Sequence, residues 1–486
     1  MSRVLFSHSY FLNLDPKQQE LGQPYPPLAT LIAAALMRSE KQEVFLFDTM
    51  FAQNPTDIIP ELLKIAPDYF VLYDDGFNYL NKMCLTNMRN AAFQLISFAR
   101  EKGCKVIVSG SDSTDHRADY LNRGADFVIT GEAELTLLEL IQALDIGNDF
   151  RSIKGLAYKQ DDQIVQTSGR PVMRMLDELP FPAWDLVHIP DYKNCWIKHN
   201  GYFSINMVTT RGCPYKCNWC AKPIYGNRYN SRTPEHVVQE IMLLKTRFDF
   251  DHIWFCDDIF GLKPGWVKLF AEEVAKNNIG IRYKIQSRAD LLVQPDYVKA
   301  LAASGCETVW MGAESGSQKI LDAMDKGTTV EQITESTRLL KASHILPSFF
   351  IQFGYPGEEK EDLEATIQLI NTLLPEDIGI SISYPLPGTV FHERVKSELK
   401  DKLNWSDSGD LAMLFRGTYS PAFYKQLHRY VHTNYRKHQG YENLLNLFRY
   451  PARVNRKTIR RAASLFYYIP VVLLEKRKLA RTESYA

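Results

Sequence analysis

The sequence has no apolar run long enough to cross a bilayer. Its strongest, LFYYIPVVLL at 465–474, contains Pro470 and falls well short of the ~20 residues a spanning helix needs. It also lacks an export signal: MSRVLFSHSYF passes straight into a strand-like run with no h-region or cleavage site, so cytoplasmic synthesis without export is expected. Cysteine is scarce. Eight in 486 residues, three of them within eight positions, are too few and too uneven for a secreted disulfide framework, and the cluster points to metal chemistry in a reducing compartment. No internal repeat of solenoid length is present, and the composition is that of an ordinary globular chain, not a disordered one.

Net charge is absent as well, but the zero conceals a segregation. From Lys425 onward there are fourteen Lys and Arg against three acids, which leaves residues 1–424 at −11. A basic tail on an acidic body excludes a nucleic-acid footprint for the body and suits an anionic membrane surface or an acidic partner.

What is there is a repeated strand-helix alternation, and a chain this long calls for more than one domain. In residues 1–145 the β-rich runs Val4–Ser7, Glu43–Phe47, Tyr69–Tyr73, Lys105–Ser109 and Asp126–Thr130 alternate with helical stretches, the pattern of a doubly wound parallel sheet. Residues 146–203 break the rhythm with a hairpin around Asp161 and Asp162 and a Pro-rich LPFPAWD segment. That stretch is expected to run extended over the surface as a linker. From 204 to 400 six β/α units follow, an incomplete TIM-like barrel with an open side, and 401–486 turns helical and basic.

The chemistry-bearing motif is TTRGCPYKCNWC, immediately after the first strand of the second domain. Cys213, Cys217 and Cys220 stand at CxxxCxxC spacing, and soft thiolates suit iron-sulfur clusters or zinc. A closed zinc site normally takes four ligands, and no fourth follows at finger-like spacing. Three ligands leave one metal position open for a cofactor. The motif resembles that of the radical S-adenosylmethionine (SAM) superfamily, CxxxCxφC with an aromatic at φ, here Trp219. The remaining cysteines read as small buried hydrophobes, with Cys256 the one of interest because it precedes Asp257 and Asp258.

The resemblance implies a 4Fe-4S cluster, SAM, an electron donor such as flavodoxin or ferredoxin, and cofactor contacts at the carboxyl ends of the barrel strands. Those positions hold Asp257 and Asp258, Ser287 and Arg288, Glu314 and Ser315, and the turn from Gly354. Caps and turns compete for each: Ser317 suits a helix cap, and PGEE at 356–359 a helix start.

A doubly wound domain before such a barrel is similar to the cobalamin-binding-domain branch, which includes anaerobic cyclases, hopanoid-modifying enzymes and methylases. The resemblance extends to about residue 440 and includes ESGSQKILDAMDKGTTVEQI and GTYSPAFYKQLHRYVHTNYR. It implies cobalamin at the strand ends of the first sheet, where Tyr73, Asp74, Ser109, Gly110, Ser111, Gly131 and Glu132 stand. The branch's DxHxxG motif is missing around His8, so binding without a histidine ligand is expected.

The function implied is reductive SAM cleavage and radical functionalisation of an unactivated carbon. Cobalamin-dependent methyl transfer to a small, hydrophobic substrate is one outcome, and cyclisation, rearrangement or anaerobic oxygenation are others. A non-catalytic binding or sensing protein is the alternative of another class. The catalytic residues are not identified. The tail from about Arg453 places an apolar run between basic clusters, which fits peripheral membrane contact or a helix packed on the barrel.

Overall fold

The computed structural model describes residues 2–399, 401–449, 451 and 454–482. The first sheet has the order β2-β1-β3-β4-β5-β6-β7, with β1 Arg3–Ser7, β2 Glu43–Phe47, β3 Tyr69–Tyr73, β4 Lys105–Ser109, β5 Phe127–Ile129, β6 Leu156–Gln160 and β7 Gln163–Gln166. The first five strands are parallel. β3 is buried along its whole length because helices cover both faces, which is why it reads as an unbroken apolar run. The helix Leu28–Ser39 follows Pro27, which has no capping side chain. Asp75, just beyond β3, accepts from the Leu28 and Ala29 N–H groups instead.

The β6-β7 hairpin turns on Asp161 and Asp162, both at positive φ (49° and 59°), as a tight two-residue loop needs. It pairs antiparallel with β5 and so extends the first sheet. The Pro-rich segment corrects the expectation of a surface linker. Trp184 is fully buried, Leu179 and Ala183 are buried, and the Phe181 ring stacks on His236 at 4.7 Å. The prolines do prevent helix, but the apolar residues among them fill a groove. The helix Ile189–Asn200 comes next, started by Pro190 and stopped by Gly201 at φ 79°.

The second sheet has the order β15-β14-β13-β12-β11-β8 and is parallel throughout. Its strands are β8 Ser204–Met207, β11 His252–Phe255, β12 Tyr283–Ser287, β13 Cys306–Glu314, β14 Leu346–Phe353 and β15 Asp377–Ile382; β9 Thr210–Arg211 and β10 Asn230–Ser231 form a separate antiparallel pair. β8 and β15 do not meet, so the six β/α units make an open barrel as expected. The segment Pro24–Pro27 lies against β8: Trp196 Nε1 donates to the Pro24 carbonyl at 2.7 Å, Asn206 Nδ2 to Pro26 at 2.9 Å, and Tyr25 bonds Ser204.

The C-terminal region is helical, with Pro421–Arg449, Arg456–Ala463 and Leu465–Thr482. The last helix packs on the first through Leu465, which closes on Gly440, and through Glu475, which accepts from Gln426. Its other face stays open: Phe466 is 88% exposed and Leu473 60%. Arg453 lies outside the described residues. Among them no helix is long and apolar enough to cross a membrane.

Candidate active site at the barrel mouth

Beyond β8 the chain crosses β9 and turns at Gly212, where φ is 78° and a Cβ would collide with the Arg228 carbonyl. It then enters the cysteine loop. Cys213, Cys217 and Cys220 are free and partly exposed. Asn218 inside the loop is buried and anchors it. Its N–H reaches the Met324 carbonyl at 3.0 Å, its amide nitrogen reaches Ala323 O and Asp325 (2.8 Å each), and Tyr355 donates to its oxygen at 2.7 Å. Nothing in the sequence singles out Asn218, since all its partners are more than a hundred residues away.

Burial raises the Cys213 and Cys220 thiols, Cys220 to about 12 with Asp258 adding to the shift. Four cations stand around the loop, and Lys222 opposes the rise. Lys222 acts on Cys213 and Cys220, Lys82 faces Cys220, and Arg288 and Lys326 face Cys217. Cys213 and Cys220 are thus held protonated in surroundings that favour anionic sulfur once metal displaces the proton. Among the described residues no group of three His, Cys, Asp or Glu could hold a single metal ion. A four-iron cluster takes one thiolate per iron, so its ligands need not converge on a point. The donor set and its cationic ring fit such a cluster.

The rim residues divide by what they touch. The Asp257 carboxylate accepts from Thr209 N, Thr209 Oγ1 and Thr210 N at 2.6–2.8 Å, which ties it to the strand that launches the loop. Asp258 pairs with Lys82 of the first domain at 2.6 Å. Ser287 shares the outward face of β12 with Tyr283 and Ile285, whereas Arg288 lies on Tyr215 (3.6 Å to the ring centre), pairs with Asp290 and donates to Lys326 O. Glu314 sits at φ 60°, a conformation disfavoured for a side-chain-bearing residue, and pairs with buried Lys326 at 2.8 Å. Ser315 bonds Thr366. Gly354, at φ 80°, donates to Glu358, and the space its Cβ would need is held by Met413 and Tyr424. Among the described residues, Trp219 Nε1 and Thr328 Oγ1 are buried without a hydrogen-bond partner. Cys256 is engaged, donating to Met207 O at 3.0 Å.

In the first domain, Tyr73 is buried and its hydroxyl is raised by burial. Burial raises Asp74 to about 6, and Asp74 accepts from Ser9 N at 2.8 Å. Ser109 is buried and its carbonyl takes the Asp74 N–H. Gly110 is where Asp74 closes in, and neighbouring Ser111 Oγ is buried without a partner. Gly131 takes φ 78° below the Ile224 carbonyl. Glu132 accepts from Met173 N and, with Glu134, receives Arg211. His8 is fully engaged: Nε2 meets Asp48 at 2.8 Å and Nδ1 meets Thr49 at 3.1 Å.

The radical SAM superfamily matches residues 207–370, from the end of β8 through the fifth unit of the barrel. Residues 207–370 form a radical SAM domain. An uncharacterised methyltransferase of Pyrococcus horikoshii is 29% identical over 395 residues, covering 79% of this chain and 82% of its own length. The anaerobic magnesium-protoporphyrin IX monomethyl ester cyclase of Rubrivivax gelatinosus is 28% identical over 416 residues, 83% and 71% of the two chains. Among solved structures, the radical SAM methyltransferase TsrM of Kitasatospora setae, with cobalamin and a [4Fe-4S] cluster bound, has a TM-score of 0.68 at 20% identity, covering 82% of this chain and 75% of that one. The cobalamin-dependent radical enzyme OxsB gives 0.71 at 16%, covering 96% and 75%. At these identities the structures speak for the fold, and they match first domain and barrel together. The chain thus carries a radical SAM domain, and its likeness in fold to TsrM and OxsB extends beyond that domain.

Proposed function

We propose that the chain holds a 4Fe-4S cluster through Cys213, Cys217 and Cys220, cleaves SAM reductively and methylates an unactivated carbon of a hydrophobic substrate with the help of cobalamin. The observation that carries the reading is three free thiols on one anchored loop inside a ring of four cations, at the carboxyl end of an open parallel barrel. When bound, the cluster would supply the electron that breaks a carbon-sulfur bond of SAM. The chain's own work is to hold and orient. Arg288 and Lys326 offset anionic sulfur, and the unpartnered Trp219 and Thr328 groups are available to the cofactor.

Ser111, unpartnered at the carboxyl edge of the first sheet, supports cobalamin there together with Asp74, Ser109 and Gly110; His8 is committed to Asp48 and Thr49. Similarity to a cyclase favours ring formation as the second outcome. An external one-electron donor is required in either case. The exposed apolar side chains of the last helix, next to Lys476 and Arg477, support contact with an anionic bilayer.

Anaerobic reconstitution tests the reading. The wild-type protein should turn brown and release 5′-deoxyadenosine on reduction with SAM, and Cys213→Ala, Cys217→Ala or Cys220→Ala should each remove both. A full 4Fe-4S signal in all three variants would falsify the cluster assignment, and a loaded wild type that releases no deoxyadenosine would favour a binding protein.

A further inference from the structure

Inside the barrel, β12 turns Tyr283 and Ile285 to the helices, fully buried, and Lys284 to the interior. Lys284 stands in register with Trp254 of β11 and Thr308 of β13. Its ammonium lies 5.3 Å from the Trp254 ring, 5.4 Å from Tyr25 and 5.9 Å from Trp196. Among the described residues no carboxylate bears on it, and burial alone lowers it to about 8. Ring faces offset part of the cost of burying a cation but leave its N–H donors unmade.

Two residues past Thr308 on β13, towards the mouth, Trp310 stacks on Phe350 with centroids 4.7 Å apart. Gly379 lies under both rings; a Cβ there would come within 3.3 Å of Trp310 and 3.4 Å of Phe350. Phe350 is 36% exposed although Phe349 and Ile351 beside it are sealed, so its ring borders open interior space. The barrel therefore offers an aromatic platform and a cation with no ion-pair partner among the described residues, and neither is used by the cysteine loop or the rim.

We propose that Lys284 is the anion-binding group of the substrate site, and that the substrate is a flat aromatic molecule bearing a carboxylate. Its acid meets Lys284 and its body lies against Trp310 and Phe350. This inference rests on the radical SAM reading of the same barrel and adds the substrate class to it.

The probes are protoporphyrin IX, a flat aromatic diacid, and its dimethyl ester. Binding to the reconstituted full-length protein is followed by quenching of tryptophan fluorescence. The wild type should prefer the acid by about tenfold or more, the span of a charge-assisted hydrogen bond. Lys284→Met should bring the two ligands to near equality, and Lys284→Arg should keep most of the preference. Equal affinity for acid and ester in the wild type, a comparison that needs no variant, overturns the inference, and so does a preference that Lys284→Met leaves intact. Deoxyadenosine release on the same samples reports separately on the radical reading, which stands on the cluster and not on Lys284.

Discussion

Replacing Arg211 by Met tests whether the first domain holds the cysteine loop in place. Arg211 is 3% exposed and donates to Glu132 and to Glu134, at 2.7 Å to the latter, while Phe77 and Tyr225 flank its guanidinium. Removing the cation leaves two carboxylates buried without their partner, a loss of about 3–5 kcal/mol. For a unit the size of the barrel this lowers the melting temperature by about 6–20 °C.

Burial already raises Glu132 against the pull of Arg211, and loss of the arginine raises it further. A carboxyl group whose folded value lies above its unfolded one contributes stability at low pH and loses it as pH rises through the folded value. The defect of Arg211→Met is therefore largest near pH 8 and shrinks towards pH 5. Adding Glu132→Gln and Glu134→Gln should recover part of the loss, because neutral amides do not need the cation. Thermal melts at pH 5, 6.5 and 8, with iron content measured on the same preparations, check this. Iron should fall with stability, since Arg211 stands two residues before Cys213. A variant that melts with the wild type, or a triple variant no better than the single one, refutes the reasoning.

Burial raises Glu358 from 4.5 to about 8, so it is protonated at neutral pH; its stabilising contribution is present below about 4.5 and fades as pH rises through 8. Glu358→Gln should flatten that part of a chemical-denaturation profile taken from pH 5 to 9, and superimposable profiles would count against it. Hydroxocobalamin should bind with its base off and without histidine, so the cob(II)alamin electron paramagnetic resonance spectrum should lack splitting from a His8 nitrogen; its presence would mean that His8 leaves Asp48. Full-length protein should sediment with anionic but not neutral vesicles, less so as salt shortens screening to ~8–10 Å, and Phe466→Ser with Leu473→Ser should weaken it. Equal pelleting with neutral vesicles would remove the electrostatic part of the argument.

The elements most legible in the sequence are those whose burial is decided locally. The helices Val330–Ala342 and Lys360–Leu373 begin and end where periodicity and caps place them, and the first-sheet strands agree within a residue or so. β13 runs on to Glu314 through Gly312 and Ala313, poor strand formers that give no strand signal in the sequence but that a barrel accepts. The helix Ile189–Asn200 was missed, because the prolines before it suggested a linker; Pro190 and Gly201 mark its ends in the fold.

The cysteine loop was legible as a candidate cluster site from its spacing joined to its place after the first barrel strand. Asn218, Lys326 and the pairs Lys82–Asp258 and Arg211–Glu132 were not, because each depends on contacts that only the folded chain brings together. Asp257 and Glu132 show the reverse. Both stand where a cofactor would be sought, and their carboxylates already receive donors from the chain itself.

The segment Pro24–Pro27 has a bearing on how an unclosed barrel survives in solution. An open parallel sheet presents unpaired backbone groups at its margin, a template for another chain to add a strand. Three of the four residues laid against β8 are prolines, which have carbonyls to offer Trp196 and Asn206 but no N–H to extend a ladder. The strip meets β8 through the side chains of Ser204 and Asn206, and it cannot turn that contact into a further strand with an outer edge of its own. A Pro24→Ala, Pro26→Ala, Pro27→Ala protein would regain those donors, and its cost would be felt as self-association in the crowded cell more than as lost chemistry at the barrel mouth.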